Sequence, residues 1–323
     1  MVRAAVDLGV PATLDTASRS AAEVASAAHA DAPSMARLLD ALVALGVCTV
    51  EERRGGDDRV YGLAGPGRLL VERPDEPSLG AWARWSATTL WDDWRGLAET
   101  VRSGRSARRS RLGADDFGPL AADPAAAATF DRGLAAVTAL QARSLVEAFA
   151  LDGDERIADL GGGQGELLVA VLDAHPDVQA TLVELPHAID HARARLSTAG
   201  LDERVDLVAG DLFAPLPVTA DVVVVKSVLH DWDDDDAGRV LATAAGCLAP
   251  GGRLLVVERV RPDRPEDHPE HRALARMDLT MMVGQGGRER TEGELTRLVE
   301  GAGLRVVAVA RPSGAPAVLD ARR

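Results

Sequence analysis

The sequence predicts an α/β protein: a doubly wound, mostly parallel sheet preceded by a mainly helical, winged-helix-like region. Three observations lead there. Strand-like and helix-like segments alternate from residue 156 onward, a glycine-rich turn "DLGGGQG" stands where the first of those strands meets a helix, and the N-terminal third carries apolar residues at helical spacing followed by two short alternating runs. A chain of 323 residues is long enough for two domains, and the boundary is expected between 1–103 and 104–323.

Taken in order, "SAAEVASAAHA" (20–30) and "APSMARLLDALVALG" (32–46) predict two helices, with Asp31 or Ser34 capping the second and Gly46 stopping it. "VCTVEERRGGDDRVYGLA" predicts a hairpin that turns at Gly-Gly-Asp-Asp. Two helices and a hairpin make a winged helix, which raises DNA binding. Its second helix, however, presents Met35, Leu38, Leu39, Leu42, Val43 and Leu45, with Arg37 the only base. A groove-reading helix needs exposed donors, so this one is expected to pack or dimerise. A longer helix is predicted over 79–101 and holds four of the five tryptophans, Trp82 and Trp85 on one side and Trp91 and Trp94 on another. The plain reading is two packing surfaces, one core and one subunit interface; the sharper one gives Trp91 and Trp94 to an aromatic substrate pocket. Another helix is expected over about 125–150. Strands then read at "RIADLG", "QATLVEL", "RVDLVAGD", "ADVVVVKSV", "GRLLVVERV" and "RVVAVARP", and the polar excursion "RPDRPEDHPEH" precedes a further helix.

Composition narrows the function. The net charge of −14 disfavours broad contact with nucleic acid or an anionic membrane. No run of about 18 apolar residues is present, so no membrane span is expected, and the first residues do not read as an export signal. Cys48 and Cys247 lie far apart outside any paired motif, which argues against disulfides or a cysteine zinc site and suits a reducing cytoplasm. The basic run "GRSARRSR" (104–111) reads as a solvated loop, and of 36 basic residues the single lysine is Lys226.

The glycine turn departs from a dinucleotide fingerprint, because Glu166 stands where the third glycine should be. Asp159, at the strand end beside Gly161 and Gly163, would repel a pyrophosphate but suits a ligand with an ammonium group. The second strand ends in Glu184, where an acid commonly accepts from ribose hydroxyls. The third ends in "AGDLF", placing Asp211 to accept from an exocyclic amine while Leu212 and Phe213 pack on a flat ring. Three carboxylates at successive strand ends fit a nucleoside bearing an amino acid, and S-adenosylmethionine is such a molecule.

The stretch "VVVVKSVLHDWDDDD" (222–236) runs from a buried strand into Lys226, His230, Asp231 and Trp232 and then four aspartates. It reads as a catalytic rim, a metal site, or a solvated helix start. The aspartates themselves read as the acidic first turn of a helix, capping and solvation rather than chemistry.

With those residues in view, the chain resembles the S-adenosylmethionine-dependent small-molecule O-methyltransferases, the plant caffeic acid and isoflavone enzymes and more so their bacterial relatives in aromatic polyketide and antibiotic biosynthesis. "RAAVDLGV", "DLGGGQG", "VELP", "GDLF", "LHDW", "LAPGGRLLVVE" and "GGRERTEGEL" match family blocks in order. The resemblance implies a Rossmann-like catalytic domain, a homodimer through the N-terminal domain, a small aromatic acceptor, and product S-adenosylhomocysteine with no metal. It implies that Gly161 and Gly163 line the methionine end, Glu184 holds the ribose, and Asp211 and Leu212 the adenine, with Lys226 nearby. His230 matches the catalytic base, Glu258 and Glu289 the acids flanking it, and Met281 and Met282 the acceptor-pocket segment. A phenol of ordinary pKa near 10 is scarcely ionised at neutral pH, so an imidazole of ordinary pKa about 6.5 taking the proton during in-line attack is the expected chemistry.

Overall fold

A computed structural model describes residues 1–52, 59–73, 76–113 and 123–323. They form two compact units, one of Met1–Thr89 with Ala125–Val137, the other of Leu90–Pro124 with Thr138–Arg323.

In the first unit, Ser20 and Glu23 close a capping box on the helix Ala21–Ala27. Each supplies the acceptor that the other's free helix-end donor needs. Asp31 caps the helix Ala32–Ala44 by accepting from the Ser34 amide. Of the apolar face read from sequence, Met35, Leu39 and Leu42 are buried, Leu38 and Val43 half-buried, and Leu45 exposed. Three antiparallel strands complete the wing: β1 (Arg19–Ser20), β2 (Cys48–Glu52) and β3 (Arg59–Leu63), in the order β1-β3-β2. The Gly-Gly-Asp-Asp tip lies outside the described residues. Gly67 has no substitute, since a Cβ there would lie 2.1 Å from the Val47 carbonyl oxygen.

The single helix expected over 79–101 is three: Gly80–Ser86, Thr89–Arg95 and Leu97–Ser103. At the first break Thr88 Oγ1 accepts no backbone donor but gives its proton to the Arg84 carbonyl, 2.8 Å away, a local bond that competes with continued helix. At the second, Gly96 allows close approach, because a Cβ would sit 2.6 Å from that of Ala107. One helical wheel therefore does not describe the tryptophans. Trp85 is buried against Phe130, ring centroids 4.9 Å apart, whereas Trp91 is 64% exposed and Trp94 half-buried.

The second unit is built on a seven-stranded sheet: β4 (Arg156–Leu160), β5 (Gln179–Glu184), β6 (Val205–Ala209), β7 (Ala220–Lys226), β8 (Leu248–Glu258), β9 (Arg305–Ala310) and β10 (Ala317–Arg322). The order is β6-β5-β4-β7-β8-β10-β9. Only β10 runs antiparallel to its neighbours, and it is the strand the sequence did not announce. It ends in the polar "DAR" and slots between β8 and β9, where Asp320 accepts from Arg253. The valines of β7 alternate cleanly: Val223 and Val225 join one core cluster with Val240, Leu241 and Leu295, while Val222 and Val224 join another with Leu168 and Leu172. A strand covered on both faces reads as an unbroken apolar run. Strand order reverses between β4 and β7, the place where open α/β sheets bind ligands beyond their carboxyl ends.

Among the described residues no helix is long and apolar enough to cross a membrane.

Candidate active site

The carboxyl ends of β4, β5, β6 and β7 are level, since Leu160 pairs with both Val183 and Val225, and Val183 with Val208. That register brings Gly161, Glu184, Asp211 and Lys226 to one edge. Gly161, Gly163 and Gly165 take φ of 74°, 58° and 83°, which L side chains rarely adopt. Gly162 is pinned differently, for a Cβ would lie 2.5 Å from Asp159 Oδ2. Glu184 accepts from the Gly163 amide at 3.0 Å and from the Leu185 amide at 2.8 Å, fixing the turn. Asp211 accepts from the Phe213 amide at 2.9 Å. Phe213 packs edge-on against Trp232 at 4.7 Å and carries Arg239 over its face at 4.7 Å.

Asp159 is 1% exposed and its Oδ1 has no hydrogen-bond partner. Burial, helped by the Glu184 charge and opposed by Lys226, pushes its carboxyl up to about 7. Burial also brings Lys226 down to about 8 despite the pull of Asp159, and its Nζ donates to Thr138 Oγ1 at 3.0 Å. A buried, unpartnered acceptor at this edge fits a ligand bringing N–H donors and positive charge. Three carboxylates and one lysine, with glycine amides between them, fit the chemistry of S-adenosylmethionine.

Beyond Lys226 the chain turns sharply at Ser227, whose φ is 54°, and enters a short 3₁₀ turn, Leu229–Asp231. A non-glycine residue in that region is strained and needs surrounding structure to hold it. Glu258, at the end of β8, supplies some of it: Oε1 accepts from the Val228 amide at 3.0 Å and the Leu229 amide at 2.8 Å. Its other oxygen lies 3.3 Å from His230 Nδ1, and Glu289 Oε1 lies 3.4 Å from the same nitrogen. His230, Glu258 and Glu289 are all buried. On the far side of the ring, Asp231 Oδ1 is 3.8 Å from Nε2. Burial alone would lower the imidazole, but the Glu258 charge, the Glu289 carboxylate at Nδ1 and the Asp231 charge outweigh it, and His230 is pushed up to about 9. The ordinary value of about 6.5 assumed from sequence is therefore too low. Glu258 is raised by burial and by Glu289, and burial pushes Asp231 up to about 6.

Two further readings from sequence need correction. The basic run 104–111 is not a solvated loop: Ser106 caps the helix Ala107–Leu112, and Arg108 donates to the fully buried Asp93 from Nε at 3.1 Å and Nη2 at 2.8 Å, joined by Arg111 at 2.6 Å. Arg108 thereby reaches the neighbourhood of Asp231 and tempers its carboxyl. The aspartate run is not capping alone. Asp233 does cap the helix Asp234–Gly246, but Asp234 accepts from Arg290 at 2.9 Å. Arg108, Asp93, Asp234 and Arg290 were missed because a pairing across 15 or 56 positions leaves no local pattern. Met281 is buried and Met282 half-buried on the helix Pro269–Val283.

His230, Glu258 and Glu289 also offer ligand atoms within 4.8 Å of one another, a spacing open to a metal ion.

Comparison with known proteins agrees with this geometry. Residues 94–305 match the O-methyltransferase domain family and residues 1–73 the O-methyltransferase dimerisation domain. The chain is 35% identical over 306 residues to a mitomycin biosynthesis 6-O-methyltransferase of Streptomyces lavendulae, covering 94% of this chain and 85% of that one. It is 36% identical to an aclacinomycin 10-hydroxylase of Streptomyces purpurascens, over 87% of this chain and 74% of the other. Among solved structures, the O-methyltransferase of neocarzinostatin biosynthesis in complex with S-adenosyl-L-homocysteine and 1,4-dihydroxy-2-naphthoic acid superposes with a TM-score of 0.75 and 34% identity, covering 99% of this chain and 94% of that one.

Proposed function

The chain belongs to the S-adenosylmethionine-dependent O-methyltransferase family, in its aromatic natural-product branch, and we propose that it methylates a phenolic hydroxyl of a polyketide, naphthoate or similar ring system with His230 as general base. The observation that carries this reading is the buried imidazole with two carboxylates within 3.4 Å of Nδ1, which assigns the proton-accepting role to Nε2, where only Asp231 approaches, at 3.8 Å. S-Adenosylmethionine, when bound, would supply an electrophilic methyl group to the acceptor oxygen and leave as S-adenosylhomocysteine.

The residues of this chain do the rest. Nε2 accepts the hydroxyl proton as the oxygen attacks, and the positive ring that results is held by Glu258 and Glu289. Since those acids raise His230 to about 9, the protonated ring predominates at pH 7 in the free enzyme, and a sulfonium cation, when bound, would oppose that charge and favour the neutral ring. We read the cluster as metal-free, so a chelator leaves turnover unchanged. Trp91, Trp94, Met281 and Met282 are assigned to acceptor contacts, and the dimerisation domain to a homodimer in the cytoplasm.

The test is transfer of a labelled methyl group to a panel of phenols, naphthoates and hydroxylated polyketides; labelled product from at least one is expected. A second reading is the same scaffold turned to hydroxylation or decarboxylation, the former favoured by the 10-hydroxylase relative. An acceptor that gains an oxygen atom when dioxygen and a reductant are supplied, or that loses carbon dioxide, with S-adenosylmethionine left intact, would select it.

A further inference from the structure

We infer that Arg290 is a positioning residue for methyl transfer: its buried guanidinium clamps the backbone on both sides of His230 and locks the imidazole to Glu289 as one unit. Arg290 is 2% exposed. Its Nη1 donates to the Leu229 carbonyl at 2.6 Å, immediately before the histidine, and its Nη2 to the Trp232 carbonyl at 2.8 Å, two residues after it. Between them the Arg288 amide donates to the His230 carbonyl at 2.9 Å. Gly287 must be glycine for this contact, since a Cβ would lie 2.1 Å from the same carbonyl oxygen.

The segment that grips the turn is also the one that delivers Glu289. Its amide is tied to Asp278 Oδ1 at 2.9 Å, and Arg290 is held in turn by a bridge to Val260 and by its Nε bond to Asp234 at 2.9 Å. The residues on either side of Glu289 thus hold the backbone of His230, so the distance between Nδ1 and the carboxylate is not left to two independent loops. A guanidinium does this because its donors diverge in a rigid plane, whereas an ammonium offers no such fork. Asp234 is the outer anchor and is 55% exposed, so it can be altered without opening the core.

The inference rests on His230 as the base. The groups facing His230 are Glu258 from β8, Glu289 and Asp231, with Arg108 beyond Asp231. Release of the clamp draws Glu289 away from the ring and leaves the imidazole less strongly held in its protonated form. The experiment compares Asp234→Asn, Arg290→Lys and Arg290→Met with His230→Ala in the full-length enzyme. Each is measured for kcat, KM for S-adenosylmethionine, thermal midpoint, and the pH at which kcat/KM reaches half its plateau. Misplacement of a reacting group by about 1 Å costs on the order of 10²-fold. A loss of that order in kcat is expected for Arg290→Met, a smaller one for Asp234→Asn, and partial recovery for Arg290→Lys. In all three the cofactor KM should hold and the half-plateau pH should move down. An unmoved half-plateau pH in Asp234→Asn and Arg290→Lys, with kcat falling only as the folded fraction falls, overturns the clamp. If His230→Ala itself turns over normally, the base assignment fails instead.

Discussion

The cofactor edge and the His230 turn lie at the ends of neighbouring strands but are built on opposite plans. At the edge, Asp159, Glu184, Asp211 and Lys226 sit at or beside strand ends; Glu184, Asp211 and Lys226 bond to neighbouring groups, and Asp159 Oδ1 has no hydrogen-bond partner. Around His230 the carbonyls of Leu229, His230 and Trp232 are gripped from 288–290, and two amides are gripped by Glu258. The edge keeps polar atoms for a ligand, while the turn spends its own on fixing one ring. Binding and proton transfer should accordingly separate under mutation: changes at the edge should appear in KM, changes at the turn in kcat.

The largest effect is expected from His230→Ala. Removal of a general base costs typically 10²–10⁴-fold, about that loss in kcat is predicted, and calorimetry should find cofactor affinity preserved. Glu258→Gln is expected next. The amide oxygen can still accept from Val228 and Leu229, so the turn persists while the charge at Nδ1 is lost. Outer partners of this kind are worth about 10–100-fold; kcat should fall within that range and the half-plateau pH should shift toward the ordinary imidazole value. Asp159→Asn belongs to the other plan: cofactor KM should rise by roughly tenfold, the size of one lost charged hydrogen bond, with any step near 7 in the pH profile lost and the rise toward 9 kept. A drop in kcat alone would erase the contrast. The smallest effect is expected for Asp235→Asn on the exposed face of the acidic helix start. Thermal denaturation should find it within about 0.5 kcal/mol of the parent and assays should find it fully active, unlike its neighbour Asp234→Asn.

The same contrast explains what the sequence showed. The cofactor edge was legible because each of its residues ends a recognisable strand, and a strand end is a local pattern: "DLGGGQG", "VELP", "GDLF". Six of the seven strands of the large sheet announced themselves in the same way, and β10 did not because "AVLDAR" has only three apolar residues before its polar end. The core of the turn was half legible. His230, Glu258 and Glu289 came from resemblance, yet what holds them is carried by Arg290, Asp234 and Gly287, whose roles arise only when remote segments meet. The tryptophan helix failed for a local reason, the break at Thr88 between Trp85 and Trp91, where the threonine hydroxyl bonds the Arg84 carbonyl. The raised pKa of His230 was invisible for the same reason as the clamp, since it is set by charges from residues 258 and 289.

That shift has a sign in stability as well. A histidine raised in the folded state contributes stability fully present below about 6.5, its unfolded value, and lost as pH rises through about 9. For activity the sign is opposite, because only the neutral ring can take a proton. The most direct test of the account is therefore the pH dependence of kcat/KM for the cofactor, which reports groups of the free enzyme, measured with an acceptor whose hydroxyl titrates above that range. A rise that continues above pH 8 and levels near 9, and whose upper part disappears in His230→Ala while any step near 7 from Asp159 remains, is predicted. A profile already flat from pH 8, or a rise toward 9 that survives in His230→Ala, would contradict a base buried among acids.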